Sequence, residues 1–257
     1  MTGIVKQGLS KVPEVVLSFW IIKILATTLG ETGGDAVTMS MHLGYATGTV
    51  IFATIFMVAV AGQMRAARFN PYLYWLTIVA TTTLGTTMAD FADRSLGIGY
   101  AGGSFILALL LATSFAVWRW TEGSVSVNRV ATPRTETFYW ITILFSQTLG
   151  TALGDWMADS NGLGFGGGAV VFGTAIVLIA AAYYFTRISH VMLFWAAFIL
   201  TRPLGATVGD LLDKPLAQGG LELSRMGASA VLIGAMLLLI VALPQRAGLH
   251  PAPQRIS

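Results

Sequence analysis

The chain has no cysteine. That excludes disulfides, thiolate metal sites and cysteine nucleophiles. It is also poor in charge: Asp, Glu, Lys and Arg make up 11% of its 257 residues, where a soluble domain carries about 25%. Hydrophobic residues make up 55%, and mean hydropathy is +0.73. Such a chain reads as an integral membrane protein whose main partner is the lipid bilayer. Histidine is scarce; His42, His190 and His250 are scattered and compose no metal motif. A net charge of +3 leaves no electrostatic footprint for nucleic acid. There is no nucleophile–base constellation and no cofactor fingerprint, so neither an enzyme nor a resident cofactor is expected. The first apolar stretch is interrupted by Lys23 and belongs to a repeat. It reads as a retained span and not as a removable signal.

What the chain does have is one pattern written four times. Trp20, Trp75, Trp140 and Trp195 each stand fifteen residues before an aspartate: Asp35, Asp90, Asp155 and Asp210. A Leu-Gly pair begins nine residues after each tryptophan, in the blocks TLGETGGD, TLGTTMAD, TLGTALGD and PLGATVGD. A fixed internal pattern means one structural unit reused. Each unit holds two apolar segments of the roughly 20 residues needed to span a bilayer. The spans are predicted over 12–34 and 44–65, 71–91 and 98–120, 136–156 and 164–186, and 190–211 and 225–244. Pro13, Pro71 and Pro133 fall where the odd helices begin, where a missing N–H does no harm.

The expected fold class is therefore all-α integral membrane. It comprises eight transmembrane helices as four parallel two-helix repeats, approximately 12–66, 67–121, 132–187 and 188–244, in a single membrane domain over 1–257. An even number of spans per unit points every unit the same way, around a pseudo-symmetry axis along the membrane normal. The tryptophan spacings of 55, 65 and 55, with the polar stretch 121–136 as a linker, make the chain a pair of pairs. Lys6, Lys11, Arg65, Arg68, Arg119, Arg129, Arg134, Arg187, Arg246 and Arg255 lie at the termini or between units, whereas Arg94, Lys214 and Arg225 lie in the connections inside units. This asymmetry predicts cytoplasmic termini and linker, with the motif aspartates at the outer ends of their helices. Three GxxxG pairs (Gly44 and Gly48, Gly99 and Gly103, Gly164 and Gly168) are expected to pack each hairpin closely.

Positions three, seven, eleven and fifteen after each tryptophan share one helix face. They are Lys23, Thr27, Glu31 and Asp35; Ile78, Thr82, Thr86 and Asp90; Ile143, Gln147, Thr151 and Asp155; and Phe198, Arg202, Ala206 and Asp210. A polar stripe cannot face lipid, so it is expected to turn inward and line a shared cavity that opens outward. Asp93, Asp159 and Asp213 form a second tier. Such a vestibule concentrates cations, and oxygen-only ligands suit Mg²⁺, Ca²⁺ or Mn²⁺. Asp35, Asp90, Asp155 and Asp210 are the candidate metal and cation ligands, with Glu31 as a deeper ligand about 6 Å below. Lys23 and Arg202 set the charge balance. If the units close into a ring, Arg202 and Glu31 can pair. Carboxylates in close array also share protons, which makes a small cation or a proton the expected partner.

Four tandem two-helix units with this tryptophan and the LG-x-T-x-x-D pattern resemble a bacterial family of multipass membrane-anchored proteins with a fourfold repeat of unknown function. The resemblance covers about residues 12–244. It implies eight spans in a bacterial inner membrane and carries no activity. The unit containing Arg202-Pro203 departs from the pattern, and its outer loop is longer. The run Glu31–Asp35 is similar, over a few residues, to the E-x-G-D motifs of cation exporters in the lysine-exporter-like superfamily. Two functions stand at this point. One is a transporter or exporter of a cation, a hard divalent metal such as Mn²⁺ foremost, coupled to protons. The alternative is a non-transporting structural or sensory membrane protein whose aspartates only cap and pair helices.

Overall fold

The computed structural model describes residues 9–160 and 162–249, without the side chains of Leu9, Asp159, Ser160 and Leu249. Lys6 and Arg255, used above for orientation, lie outside the described residues. Among the described residues, eight long helices form: α1 (Leu17–Asp35), α2 (Gly44–Arg65), α3 (Pro71–Asp90), α4 (Tyr100–Glu122), α5 (Pro133–Asp155), α6 (Gly164–Phe185), α7 (His190–Asp213) and α8 (Arg225–Ala242). Pro71 and Pro133 open α3 and α5, where Asn70 and Thr132 accept hydrogen bonds from the amides of Leu73 and Thr135. Pro13 does not open a helix. It ends strand β1 (Leu9–Pro13), which pairs antiparallel with β2 (Ala247–Leu249) and ties the two ends of the chain together.

The odd helices form a closed ring: α1 packs on α3, α3 on α5, α5 on α7, and α7 back on α1. The even helices make an outer layer, with α2 against α3, α4 against α5, α6 against α7 and α8 against α1. Each unit thus lends its second helix to the next unit, and α8 closes the circle. The expectation that the GxxxG pairs pack each hairpin on itself holds only at the turns: the helix-to-helix contact is with the next unit. Gly44, Gly99 and Gly164 have φ of +76°, +76° and +63° with open space around them, so they make the turn into the even helix. The second glycines do pack: Gly48 against Thr38 of its own unit and Thr87 of the next, Gly103 against Asp93 of its own unit, and Gly168 against Thr207 of the next unit.

Two belts repeat around the ring. In the first, the aromatic residue before each tryptophan packs on the tryptophan of the next unit. Phe19 meets Trp75 at 5.5 Å between ring centroids, Tyr74 meets Trp140 at 5.9 Å, Tyr139 meets Trp195 at 6.2 Å and Phe194 meets Trp20 at 5.6 Å. The hydroxyls of Tyr74 and Tyr139 are hydrogen-bonded at 2.7 Å. In the second belt, each Leu-Gly glycine lies under the next helix. A Cβ on Gly30 would fall 2.6 Å from Thr82 Cβ, on Gly85 3.0 Å from Gln147 Cβ, on Gly150 2.5 Å from Arg202 Cβ and on Gly205 2.5 Å from Thr27 Cβ. One turn on, Gly34, Gly154 and Gly209 repeat the device against Thr86, Ala206 and Glu31. Small residues four apart let helices approach closely where lipid supplies no hydrophobic drive to associate.

Tryptophans meet at one end of the ring and motif aspartates at the other, so the odd helices run parallel. Trp75 Nε1 donates to Gln245 (3.2 Å) and Trp195 Nε1 to the Val125 carbonyl (2.8 Å). The C-terminal segment and the linker therefore occupy equivalent places, as a pair of pairs requires. α2, α4, α6, α7 and α8 are each long and apolar enough to cross a membrane. The even helices expose residues such as Val50, Phe105, Val170 and Leu238, while α1, α3 and α5 turn their polar residues into the ring. An apolar exterior around a polar interior marks a membrane protein.

The glycine belt sets the first test. Gly150→Val should lower stability by about 3 kcal/mol or prevent assembly, because overpacking here has no flexible side-chain end to displace. Gly166→Ala, in open space, should leave the thermal midpoint unchanged or slightly higher. Thermal unfolding of the two purified variants in detergent checks this; equal midpoints would contradict it.

Candidate functional site: a cage of paired charges

The polar interior rises in tiers above the aromatic belt. Lys23 of α1 is fully buried. Its ammonium stands 4.2 Å from the centre of the Phe198 ring and donates to Gln147 (3.5 Å) and Thr201 (3.4 Å). It caps the aromatic plug with neutral partners only.

The next tier centres on Arg202 of α7, also fully buried. Its Nη2 donates to Glu31 Oε2 of α1 at 2.9 Å, to Thr86 of α3 at 2.5 Å and to Thr151 of α5 at 2.6 Å. Its Nη1 reaches the Thr27 carbonyl at 3.5 Å. One guanidinium thus touches all three other helices of the ring. The Glu31–Arg202 pair expected from ring closure is present, and Thr86 also donates to Glu31 Oε2 at 3.3 Å. Pro203 lies within a continuous α7, packed over Gly150 and Gly154.

The four motif aspartates form the third tier, each nearly inaccessible. Two cations bridge them in neighbouring pairs. Arg94 holds Asp90 at 2.9 Å and Asp155 at 3.1 Å. Lys214 holds Asp35 at 2.6 Å and Asp210 at 3.0 Å. Burial opposes the charge on each, but Asp90 and Asp155 outweigh it at Arg94 and Asp210 and Asp35 at Lys214, holding both cations above their ordinary range. Arg225 pairs with Asp213 at 3.3 Å and stands 3.8 Å from Asp35. Arg94 and Lys214 were counted above only for orientation. The signal that reveals their role is the spacing: each follows its aspartate by four residues, one helical turn.

The stripe therefore converges as expected, but the cavity is smaller than expected. Thr27, Thr82, Gln147, Thr151 and Thr86 are buried in contact below the aspartates. Open space begins at the aspartate tier, as a pocket of about 270 Å³ lined by Met39, Arg94, Phe165, Asp210, Lys214 and Arg225, among others. Its charged lining is one acid, Asp210, and three cations, Arg94, Lys214 and Arg225, so the expected acidic vestibule is screened by basic side chains. Ligand oxygens of Glu31, Asp35 and Asp210 lie within 4.8 Å of one another, the one such acidic group among the described residues. Asp35 Oδ1 has no hydrogen-bond partner. The second tier does not act as a set. Asp93 lies over Gly103 of α4, Asp213 pairs at the pocket rim, and the side chain of Asp159 lies outside the described residues. After Asp35, Asp90 and Asp155 the helix widens into one π-helical turn (Ala36–Ser40, Phe91–Ser95, Trp156–Ser160), a feature frequent at functional sites.

A sequence family described as "Repeat of Unknown Function (DUF347)" matches residues 18–69, 73–124, 138–189 and 193–245. The chain belongs to this family. Each match begins two residues before its tryptophan and takes in one share of the aromatic belt, the glycine belt and the cage. The strands and the linker core lie outside it. No curated protein and no solved structure matches the chain.

Two outcomes follow from this geometry. Removing one partner of a buried pair leaves an uncompensated charge, at about 3–5 kcal/mol. Glu31→Gln or Arg202→Gln should each destabilise by that order, and Glu31→Arg combined with Arg202→Glu should recover part of the loss; thermal unfolding of the three variants decides. Asp93 supplies a pH test. Burial raises its carboxyl above the ordinary 3.8, and Arg94 offsets only part of this. The folded state holds that proton to higher pH than the unfolded state, so the contribution is full below the ordinary value and fades as pH rises through the raised one. Asp93→Asn should raise the melting temperature at neutral pH and flatten its fall with pH; an unchanged profile would contradict the assignment.

Proposed function

We propose that the chain is a membrane carrier of a cation, a hard divalent metal such as Mn²⁺ foremost, moved with proton exchange through the pocket above the cage. Eight spans in a bacterial cytoplasmic membrane, with both termini inside, complete the proposal. The observation that carries it is the group of Glu31, Asp35 and Asp210, three acidic side chains within 4.8 Å at the aspartate tier, with one buried aspartate oxygen left unpaired. An oxygen-only set of this kind suits hard cations. The aromatic belt closes the axis at the opposite end, which favours a carrier that alternates over an open pore. The excess of arginine and lysine near the linker and termini supports the orientation. The three less apolar odd helices each have an even helix packed outside them, which supports eight spans.

A second reading has its own observation: Arg94 and Lys214 already pair all four motif aspartates. On that reading the cage is a scaffold and nothing passes. Metal content of cells lacking the protein separates the two. Deletion should shift Mn²⁺ accumulation, the intact chain should restore it, and Asp35→Asn, present in the membrane at the same level, should not. Unchanged content across a panel of divalent metals would contradict transport.

A further inference from the structure

The cage has two halves that match in position but not in chemistry. On the seam between α3 and α5, Arg94 bridges Asp90 and Asp155. On the seam between α1 and α7, Lys214 bridges Asp35 and Asp210. We infer that the transported divalent cation enters only the second half, by displacing the Lys214 ammonium from between Asp35 and Asp210, while Arg94 keeps the first half closed as a permanent clamp. This rests on the transport reading and names the working side of that site.

Three differences support the division. The first is the bridging group. An ammonium is a compact, hydrated point charge on a flexible stem, the nearest side-chain analogue of a metal ion; a guanidinium is a planar fork that engages two carboxylates at once. Arg94 is further flanked by the Tyr45 hydroxyl at 3.5 Å and the Tyr100 ring at 5.9 Å. The Lys214 backbone is fixed, its amide donating to Asp210 and its carbonyl accepting from Glu222 at 2.9 Å each. Both cations line the 270 Å³ pocket, so the distinction lies in the head group: a single-point ammonium on a flexible stem can leave its two carboxylates without any movement of the helices, whereas the fork of Arg94 holds two carboxylates and a hydroxyl at once.

The second difference is the third oxygen. Glu31 stands one turn below Asp35 and completes a set of three carboxylates with Asp210. Its counterparts in the other units are Thr86, Thr151 and Ala206, so no acid stands below Asp90 or Asp155. The third is the unpaired atom. Asp35, a member of the group of three, is 1% exposed, and its Oδ1 lacks a hydrogen-bond partner while Lys214 engages its Oδ2. Asp155 Oδ1 is unpaired too, but it has no neighbouring third carboxylate to share a metal with.

Charges that break the fourfold pattern also gather on this seam. Glu31 and Arg202 face each other across it at 2.9 Å, and Lys214 spans it. With Glu31 Oε2 committed to Arg202, an incoming divalent ion meets three carboxylates faced by three cations: Arg202, Lys214 and, 3.8 Å from Asp35, Arg225. Displacing Lys214 frees Asp210 and the nearer face of Asp35 for the ion, while Arg202 stays on Glu31 and Arg225 stays between Asp35 and Asp213.

The test is Mn²⁺ binding to the purified full-length chain in lipid nanodiscs, read from the loss of the free-ion electron paramagnetic resonance signal. Lys214→Gln should bind Mn²⁺ about tenfold or more tightly than the unaltered chain, since one competing charge within contact distance is removed. Lys214→Arg, which keeps the charge and the pairing, should bind about tenfold more weakly, because a forked donor is harder to displace. Arg94→Gln should tighten binding less than Lys214→Gln does, because the charge it removes lies outside the group of three carboxylates. Equal tightening by Lys214→Gln and Arg94→Gln, or unaltered binding in Lys214→Arg, would overturn the division while leaving transport standing. Failure of the unaltered chain and every variant to bind Mn²⁺ or any other divalent ion would overturn both.

Discussion

Arg202 is the interaction on which the interior depends. A buried arginine is costly in an apolar protein unless it is paired, and here, although Nε lacks a partner, one terminal nitrogen meets Glu31, Thr86 and Thr151 on three different helices. No other described side chain draws the four central helices to one point in this way. The contact is possible because Gly150 carries no side chain where the Arg202 stem crosses α5. Glycine spacing, helix approach and charge compensation are thus one device. Lose the close approach and the guanidinium no longer reaches its partners; lose the guanidinium and Glu31 is left as an unpaired charge.

Symmetry and its loss divide the labour of the chain. Packing is symmetric: the aromatic belt and the glycine belt repeat with the same partners in all four units. Chemistry is not. The bridging cations recur in alternate units, as Arg94 and Lys214, and Lys23, Glu31 and Arg202 occur once each. Packing tolerates little variation because interiors are dense, whereas a stripe position can change from threonine to glutamate or arginine if a partner arrives with it. Divergence has concentrated at the seam where the first and last units meet.

Much of this was legible in the residues. The four-times-repeated pattern fixed the number of units, the period of four placed the polar stripe on one inward face, and the singular charges Glu31 and Arg202 pointed to a pair across a closed ring. Other parts were visible but passed over. The aromatics Phe19, Tyr74, Tyr139 and Phe194 each precede a tryptophan, and small residues four apart sit inside the blocks TLGETGGD, TLGTALGD and PLGATVGD. Arg94 and Lys214 were weighed as topology markers, although a cation one turn after an aspartate is an ion-pair signal. The handing of each even helix to the next unit was not legible, because periodicity describes a helix face and not which neighbour covers it. Nor was the β1–β2 pairing, made by short segments at opposite ends of the chain.

The central claim is that a metal ion takes the place held by the Lys214 ammonium. Crystals of the chain grown with Mn²⁺ test it most directly, by anomalous scattering collected at the manganese edge. The account predicts an anomalous peak between Asp35 and Asp210, with the Lys214 side chain turned into the pocket. A Lys214 ammonium still bridging the two aspartates, with no peak there at saturating metal, would contradict it.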